Sequence, residues 1–451
     1  MSQADTQAGM PAERRTHFRW VVLALIFLIY TIVSADRANI GIVIPFMKTE
    51  FGLTNTEVGA IVSSFSLTYG IFQIPSAYLV QRWGVRIVMA IFIFLTSICT
   101  ATLGAATSAS MLQLNRLALG VAEAPIANCL ITTVNNWFAP HEKGQAAGIF
   151  ISAAKFGPVL VPPLGAVIIL HFGWRYVFYL CAAPGLILWF FWFFFVPDSP
   201  AQSRLVSKSE ADHIAAVPRS DDGGGRSAVA RPGRSLGLLD RLIRTRTVVP
   251  LATTRDLLRS WTIWGVGLGY FLFQGIVGVI LAWLPLYLTT VKKFSILNVG
   301  FVAAAPFVGA VTGNIVGGWL SDRAFGKRRK PTMMISAIAT IVMMYSLIHA
   351  PNDPVELGLL LFATGLLLSI GYSAFGIFPS GMTTKAIFPV GTALVNTCGQ
   401  LGGAAIPFVV GILLDRASWN AVFLFLSVCS FLTLLLLTTI IEPHAPEKLE
   451  P

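Results

Sequence analysis

The sequence predicts an all-α membrane protein: twelve transmembrane helices in two six-helix bundles related by pseudo-two-fold symmetry. Three observations carry that reading. The 451 residues are 55% hydrophobic and 12% charged, with a mean hydropathy of +0.73, whereas soluble domains carry about 25% charged residues. Twelve apolar stretches reach the ~20 residues a helix needs to cross a hydrocarbon core. Parts of the second six echo the first. This composition excludes a soluble enzyme, a disordered chain and a nucleic-acid binder. The formal charge of +11 is the Lys/Arg excess expected of cytoplasmic loops.

Residues 1–19 are polar and of mixed charge, and read as a cytoplasmic tail. The apolar run from Trp20 is too long for a signal h-region and lacks a small-residue cleavage pattern, so it is a first span. Six spans follow one another near 20–47, 57–80, 85–106, 111–137, 143–170 and 174–196, forming the bundle 20–196. Segments such as LWFFWFFFV (188–196) do not alternate polar with apolar residues, which excludes barrel strands. Residues 197–259, with DDGGGRS and many charges, read as a cytoplasmic linker. Within it LGLLDRLIRTR (236–246) predicts an amphipathic helix, which either rests on anionic lipid or simply joins the halves. Six more spans near 260–290, 296–321, 331–350, 355–384, 387–414 and 419–441 form the bundle 260–441, and 442–451 is a C-terminal tail.

Loop charge sets the orientation. Arg14, Arg15, Arg19, Arg82, Arg86, Lys143, the Arg-rich linker and Lys327–Lys330 fall on one side, with Lys292 and Lys293 opposite. Both termini are expected in the cytoplasm. The five cysteines lie in apolar stretches without CxxC spacing and read as packing residues.

The halves read as repeats. FGWRYVF around Trp174 aligns with ASWNAVF around Trp419 at a shift of 245, which also superposes Gly157 on Gly402, Pro162 on Pro407 and Lys155 on Gln400. QRWG (81–84) echoes SDRAFGKRR (321–329). Parallel repeats with a substrate between them are a transporter pattern.

Ionisable side chains at membrane depth are costly and mark function by default. The deep carboxylates are Asp36 and Glu123; the deep cations are Arg37, Arg116 and Lys155; all five lie in the first half. Arg116, Gly120 and Glu123 share one helix face by their i, i+4, i+7 spacing. Arg116 either releases Glu123 for protonation or braces it permanently. Asp36 and Arg37 are adjacent, so they point about 100° apart. Lys155 either supplies a second cation for a second carboxylate or neutralises Asp36 or Glu123. Tyr69 and Gln73 in span 2, Tyr270 and Gln274 in span 7, Tyr372 and Ser373 in span 10, and Asn396 and Gln400 in span 11 either read substrate hydroxyls or knit helices together. Phe375 and Phe378 form an apolar wall for an aromatic acid or simply pack.

GGWLSDRAFGKRR (317–329) resembles the Gly-x-x-x-Asp-Arg-x-x-Gly-Arg/Lys loop signature of the major facilitator superfamily. ADR (35–37), SFSLTYGIFQIP (64–75), RLALGVAEAP (116–125) and NTCGQLGGAAIP (396–407) resemble its anion:cation symporter branch, which includes bacterial permeases for galactonate, glucarate and hexuronates and animal carriers of sialic acid and phosphate. The resemblance implies a gating role for Gly318, Asp322, Arg323 and Gly326, and for Arg82 and Gly84 in the first-half copy, where Gln81 stands in place of the usual acid. It also implies proton coupling by Glu123 and Asp36 and a substrate role for Arg37; Asn396 lies in the branch's span-11 motif.

The expected function is therefore proton-coupled import of an organic anion, foremost a sugar acid. An aromatic or dicarboxylic acid, or antiport or uniport, are the alternatives. No P-loop, HExxH, GxSxG or run of His/Cys ligands points to an enzyme, and no cofactor or metal is expected. The expected partners are the anion, protons and membrane lipid, with no nucleic acid, for a monomer in a bacterial inner membrane.

Overall fold

The computed structural model describes residues 16–215, 240, 243–384 and 386–444. Among the described residues, twelve helices are long and apolar enough to cross a membrane: α1 Phe18–Phe51, α2 Asn55–Trp83, α3 Val85–Gly104, α4 Ala109–Trp137, α5 Lys143–Phe172, α6 Arg175–Phe195, α7 Trp261–Thr290, α8 Ile296–Ala324, α9 Lys330–His349, α10 Pro354–Met382, α11 Phe388–Arg416 and α12 Trp419–Thr439. Each end lies within four residues of the span read from sequence.

Local chemistry explains the boundaries. At the start of α2, Thr54 and Glu57 form a reciprocal capping box, which satisfies amides the helix itself cannot. Gly52 ends α1 at φ 61°, a left-handed conformation that glycine adopts without steric cost. α10 is not the single rod its hydropathy suggests. It is interrupted after Ser369 and again at Phe378, where Gly371 packs against Thr332 and Met333 of α9 and Pro379 cannot donate a backbone hydrogen bond.

Within the first half α2 packs on α4, α1 on α5 and α3 on α6; within the second, α7 packs on α11 and α8 on α10. The halves meet through α2 against α11, α5 against α8 and α1 against α7. The α1–α7 approach is backbone-close at Gly41, where a side chain would strike the Leu281 carbonyl. That contact lies toward the end away from the termini. At the same end Asp415, in the last turn of α11, accepts hydrogen bonds from the Asn55 amide (2.9 Å), the Thr56 amide (2.7 Å) and the Thr56 hydroxyl (2.6 Å). The halves are thus clasped at the end opposite the termini.

At the other end, each part of the linker adheres to its own half. The short helix Lys208–Ala215 is held by Glu210, which accepts from the Thr16 hydroxyl (2.6 Å), the Phe18 amide (3.1 Å) and the Arg19 guanidinium (2.9 Å). Strand β1 (Thr245–Thr247) pairs in parallel with strand β2 (Glu442–His444). Lys330 is fully buried beneath them, donating to the Ile243 and Ile440 carbonyls. This corrects one expectation: residues 243–246 of the predicted amphipathic helix are a turn and a strand, because the strand backbone finds a partner in 442–444 of the C-terminal tail. Most of 236–242, with Arg14 and Arg15, lies outside the described residues.

Candidate functional site

Five ionisable residues placed at membrane depth by the sequence converge in the first half. Asp36 is 1% exposed and turned into the bundle, where the Asn39 amide donates to it at 3.1 Å. Arg37, one residue on, points elsewhere, as the helical turn requires. Its Nε donates to Glu123 Oε2 at 3.0 Å across α1 and α4, with the carboxylate 0% and the guanidinium 24% exposed. Arg37 lies 4.6 Å from the Tyr69 ring centre and 5.6 Å from that of Phe65, in reach of cation–π attraction.

The pairing of Glu123 differs from the one its helix suggests. Arg116 shares a face with Glu123, yet its Nη1 reaches 3.5 Å to the Asp36 carbonyl and its guanidinium sits over Phe65 at 4.8 Å. A side chain on Gly120, between them, would strike the Phe65 carbonyl and the Thr68 hydroxyl. The bare glycine lets α2 approach, and α2 brings the Phe65 ring that draws Arg116 aside.

Lys155 is placed by Gly157, which lies backbone-close to Ser34 and Ala35, and by the Ser34 hydroxyl on the Ala153 carbonyl (3.2 Å). Lys155 is therefore level with Asp36 and Arg37. It forms no ion pair with either carboxylate. Its ammonium lies 4.3 Å from the ring centre of Tyr372, on the opposite half. The Tyr372 ring is 5.9 Å from Tyr270.

Buried polar atoms without a partner in the protein also gather among these residues: Arg37 Nη2, Glu123 Oε1, Gln73 Oε1 and Gln274 Oε1. Leaving such groups unpaired is costly, so they are suited to a polar ligand. Gln274 packs near Gly403, and Gln400 packs on Gly70 at the α2–α11 seam. Ser373 and Asn396 are half-buried and make no hydrogen bond to the cluster. Phe375 and Phe378 are buried, Phe375 stacking on Tyr270 and tilted against Phe273. Tyr30 and Phe65 were not anticipated. Tyr30 packs tilted against Phe150, with ring centres 4.7 Å apart. Aromatic residues in an apolar span give no signal of the face they occupy.

The loop signature divides by half. Gly84 turns at φ 77°, and Asp198, at the end of α6, accepts from the Arg86 amide at 2.8 Å. Asp198 thus supplies a carboxylate to the loop where Gln81 replaces the usual acid. Arg82 is exposed. Asp322 and Arg323 lie on a single π turn; Asp322 pairs with Arg329 of its own loop at 3.0 Å, Arg323 is exposed, Gly318 is open, and Gly326 turns at φ 58° beside Arg328. At the linker anchor, His141 and His213 approach Glu142 at 4.0 and 3.4 Å. Glu142 is held on both oxygens by Arg19, whose charge opposes a cation there.

Burial would raise the Glu142 carboxyl, but hydrogen bonds from Arg19 and His213 outweigh it and hold it below its ordinary value. Glu210 behaves likewise, burial being outweighed by Thr16, Arg19 and Phe18. At the other anchor burial wins: Glu442 is held above its ordinary value despite the Arg329 and Lys330 amides it accepts.

The sequence matches the family described as the Major Facilitator Superfamily over residues 26–301 and 292–451. It is 30% identical over 415 residues to the "D-galactonate transporter" of Escherichia coli O6:H1, covering 90% of each chain. It is 28% identical to the "Probable galactarate/D-glucarate transporter" of Escherichia coli K12, covering 95% of each. Among solved structures it superposes, at 16% identity and a TM-score of 0.72, on a bacterial homolog to the human lysosomal transporter Spinster in an inward-facing and unoccupied conformation, covering 94% of this chain and 98% of that one.

Proposed function

The chain belongs to the Major Facilitator Superfamily, and from that membership we propose that it imports a sugar acid together with protons by alternating access between its halves. It is a multi-pass membrane transport protein and not an enzyme. Its relatives named for galactonate and for galactarate/glucarate support an organic-acid cargo, and the loop charges support cytoplasmic termini in a bacterial inner membrane. A monomer surrounded by lipid is enough for this cycle, since both halves are in one chain.

One observation carries the mechanism: the buried Arg37–Glu123 pair, with Arg37 Nη2 and Glu123 Oε1 unpartnered. A cargo carboxylate that takes the Arg37 fork bidentately leaves Glu123 without its countercharge. A buried carboxylate deprived of its cation favours the protonated form, so anion binding and proton uptake promote each other. Asp36, close to Arg116 and Asn39, is the second group available to a proton. Tyr69 and the Gln73 and Gln274 amides read hydroxyls. With the termini in the cytoplasm, the clasp at the opposite end supports reading this conformation as inward-facing, and discharge of cargo and proton restores the Arg37–Glu123 pair.

Proteoliposomes test the reading. Sugar acid added outside should alkalinise the medium with the wild-type chain. Glu123→Gln should lose that proton movement while still exchanging labelled cargo in counterflow. Undiminished proton uptake by Glu123→Gln would refute the assignment.

A further inference from the structure

The sequence leaves Lys155 with two roles, neutralising a deep carboxylate or meeting a second anionic group. The geometry separates them. Glu123 is taken by Arg37, the Asp36 carboxylate accepts from the Asn39 side chain while Arg116 lies against the Asp36 backbone carbonyl, and the Lys155 ammonium, with no ion pair to either carboxylate, sits over the ring of Tyr372. We propose that Lys155 and the Tyr372 face form a second anion pole, and that the cargo is a dianion, a sugar dicarboxylate with one carboxylate on Arg37 and the other on Lys155. The inference rests on the sugar-acid reading above and narrows it.

Charge at the centre supports the proposal. With both carboxylates ionised, three cations against two anions leave one net positive charge at membrane depth, where uncompensated charge is expensive. A monoanion entering with one proton leaves that charge in place. A dianion entering with one proton removes it, and each further proton makes a second negative group on the cargo more necessary. The aromatic face offsets part of the ammonium's charge without neutralising it, so one side of Lys155 stays available to an anion. An ammonium is a point charge that accepts a carboxylate from many directions, which suits the far end of a flexible hydroxylated chain whose near end is fixed by the Arg37 fork. Because Tyr372 belongs to the opposite half, a carboxylate on Lys155 also lies at the seam that must move.

The test compares a six-carbon aldarate, with two carboxylates, against the aldonate of the same skeleton. Competition against labelled substrate in counterflow and thermal shift of the detergent-purified protein are the readouts. The wild type should prefer the aldarate by about tenfold or more, the size of one charge-assisted contact. Lys155→Gln should weaken the aldarate by a similar factor, leave the aldonate within about threefold, and so collapse the preference; Lys155→Arg should retain it. Wild-type preference for the aldonate would overturn the inference and leave the sugar-acid reading standing. So would equal weakening of both acids in a folded Lys155→Gln protein, which marks a structural lysine. Protection by neither acid in the wild type would overturn both.

Discussion

The two halves share a fold and divide the chemistry. Around the middle of the first, five ionisable side chains are arranged as one tight pair, Arg37–Glu123, one approach between Arg116 and the Asp36 backbone, and one lysine facing an aromatic ring. At the corresponding level the second offers uncharged groups, among them the Tyr270 and Tyr372 phenols, the Ser373 hydroxyl and the Gln274, Asn396 and Gln400 amides. The superposed pair Lys155 and Gln400 states the difference at one site: the lysine reaches across to Tyr372, while the glutamine packs on Gly70. A charge can be exchanged for another charge or a proton, whereas an amide can only be satisfied or left bare. On the mechanism proposed above, the exchange of charge belongs to the first half, and the second adds uncharged contacts to the cargo.

The largest expected effect tests this division directly. Arg37→Gln removes the cargo's fork and leaves Glu123 buried without a cation; losing one partner of a buried pair costs about 3–5 kcal/mol, so uptake should fall by ~100-fold or more. Gln274→Ala removes one neutral hydrogen bond worth about 0.5–1.5 kcal/mol, so KM should rise by ~3- to 10-fold with little change in maximal rate. Initial-rate uptake in proteoliposomes compares the two. A Gln274→Ala defect as deep as that of Arg37→Gln would break the division.

The next effect concerns the seam. Asp415 lies in the last turn of α11, where its charge opposes the helix dipole, and gains three hydrogen bonds from the first turn of α2 in the other half. Asp415→Ala should weaken the clasp by about 1–3 kcal/mol, opening the end opposite the termini by ~10-fold or more. Spin-label distances between the two halves at that end should lengthen. Unchanged distances would mean that the α1–α7 contact at Gly41 holds the seam without Asp415.

Much of this was legible in one dimension, and the exceptions share a cause. Helix ends follow from apolar length and capping, which are local, and so were read within a turn. The identity of the deep charged residues is also local, because hydropathy makes them conspicuous. Their partners are not. Arg116 and Glu123 share a face, yet Glu123 pairs with Arg37 because the rotation of α1 against α4 is set by glycine contacts spread over several helices. The break in α10 was signalled by Gly371 and Pro379, but both residues also occur in unbroken membrane helices. Asp415 did carry a signal: an acid in the last turn of a helix needs a partner from outside it. The β1–β2 pairing joins segments nearly 200 residues apart with no periodic pattern between them.

The smallest effect contrasts the two linker anchors, each a glutamate accepting two backbone amides: Glu210 from Phe18 and Arg19, Glu442 from Arg329 and Lys330. Their pH responses should have opposite signs. Glu210 and its neighbour Glu142 are held below the ordinary carboxyl value of about 4.3. Their stabilisation is complete above that value and disappears as pH falls through the lowered one. Glu442 is held above it, so its ionisation is harder in the fold than in the unfolded chain, and its contribution is greatest below the ordinary value and declines as pH rises through the raised one. Acidification from about pH 7 to about pH 3 should therefore reduce hydrogen-exchange protection at Phe18 and Arg19 by a few-fold, after correction for intrinsic rates, while protection at Arg329 and Lys330 holds or increases. Glu210→Gln should remove Glu210's share of the first response, leaving that of Glu142, and leave the second alone. Parallel loss at both anchors would show that a general loosening of the end that carries the termini, and not the separate environments of the two carboxyls, governs how the linker lets go.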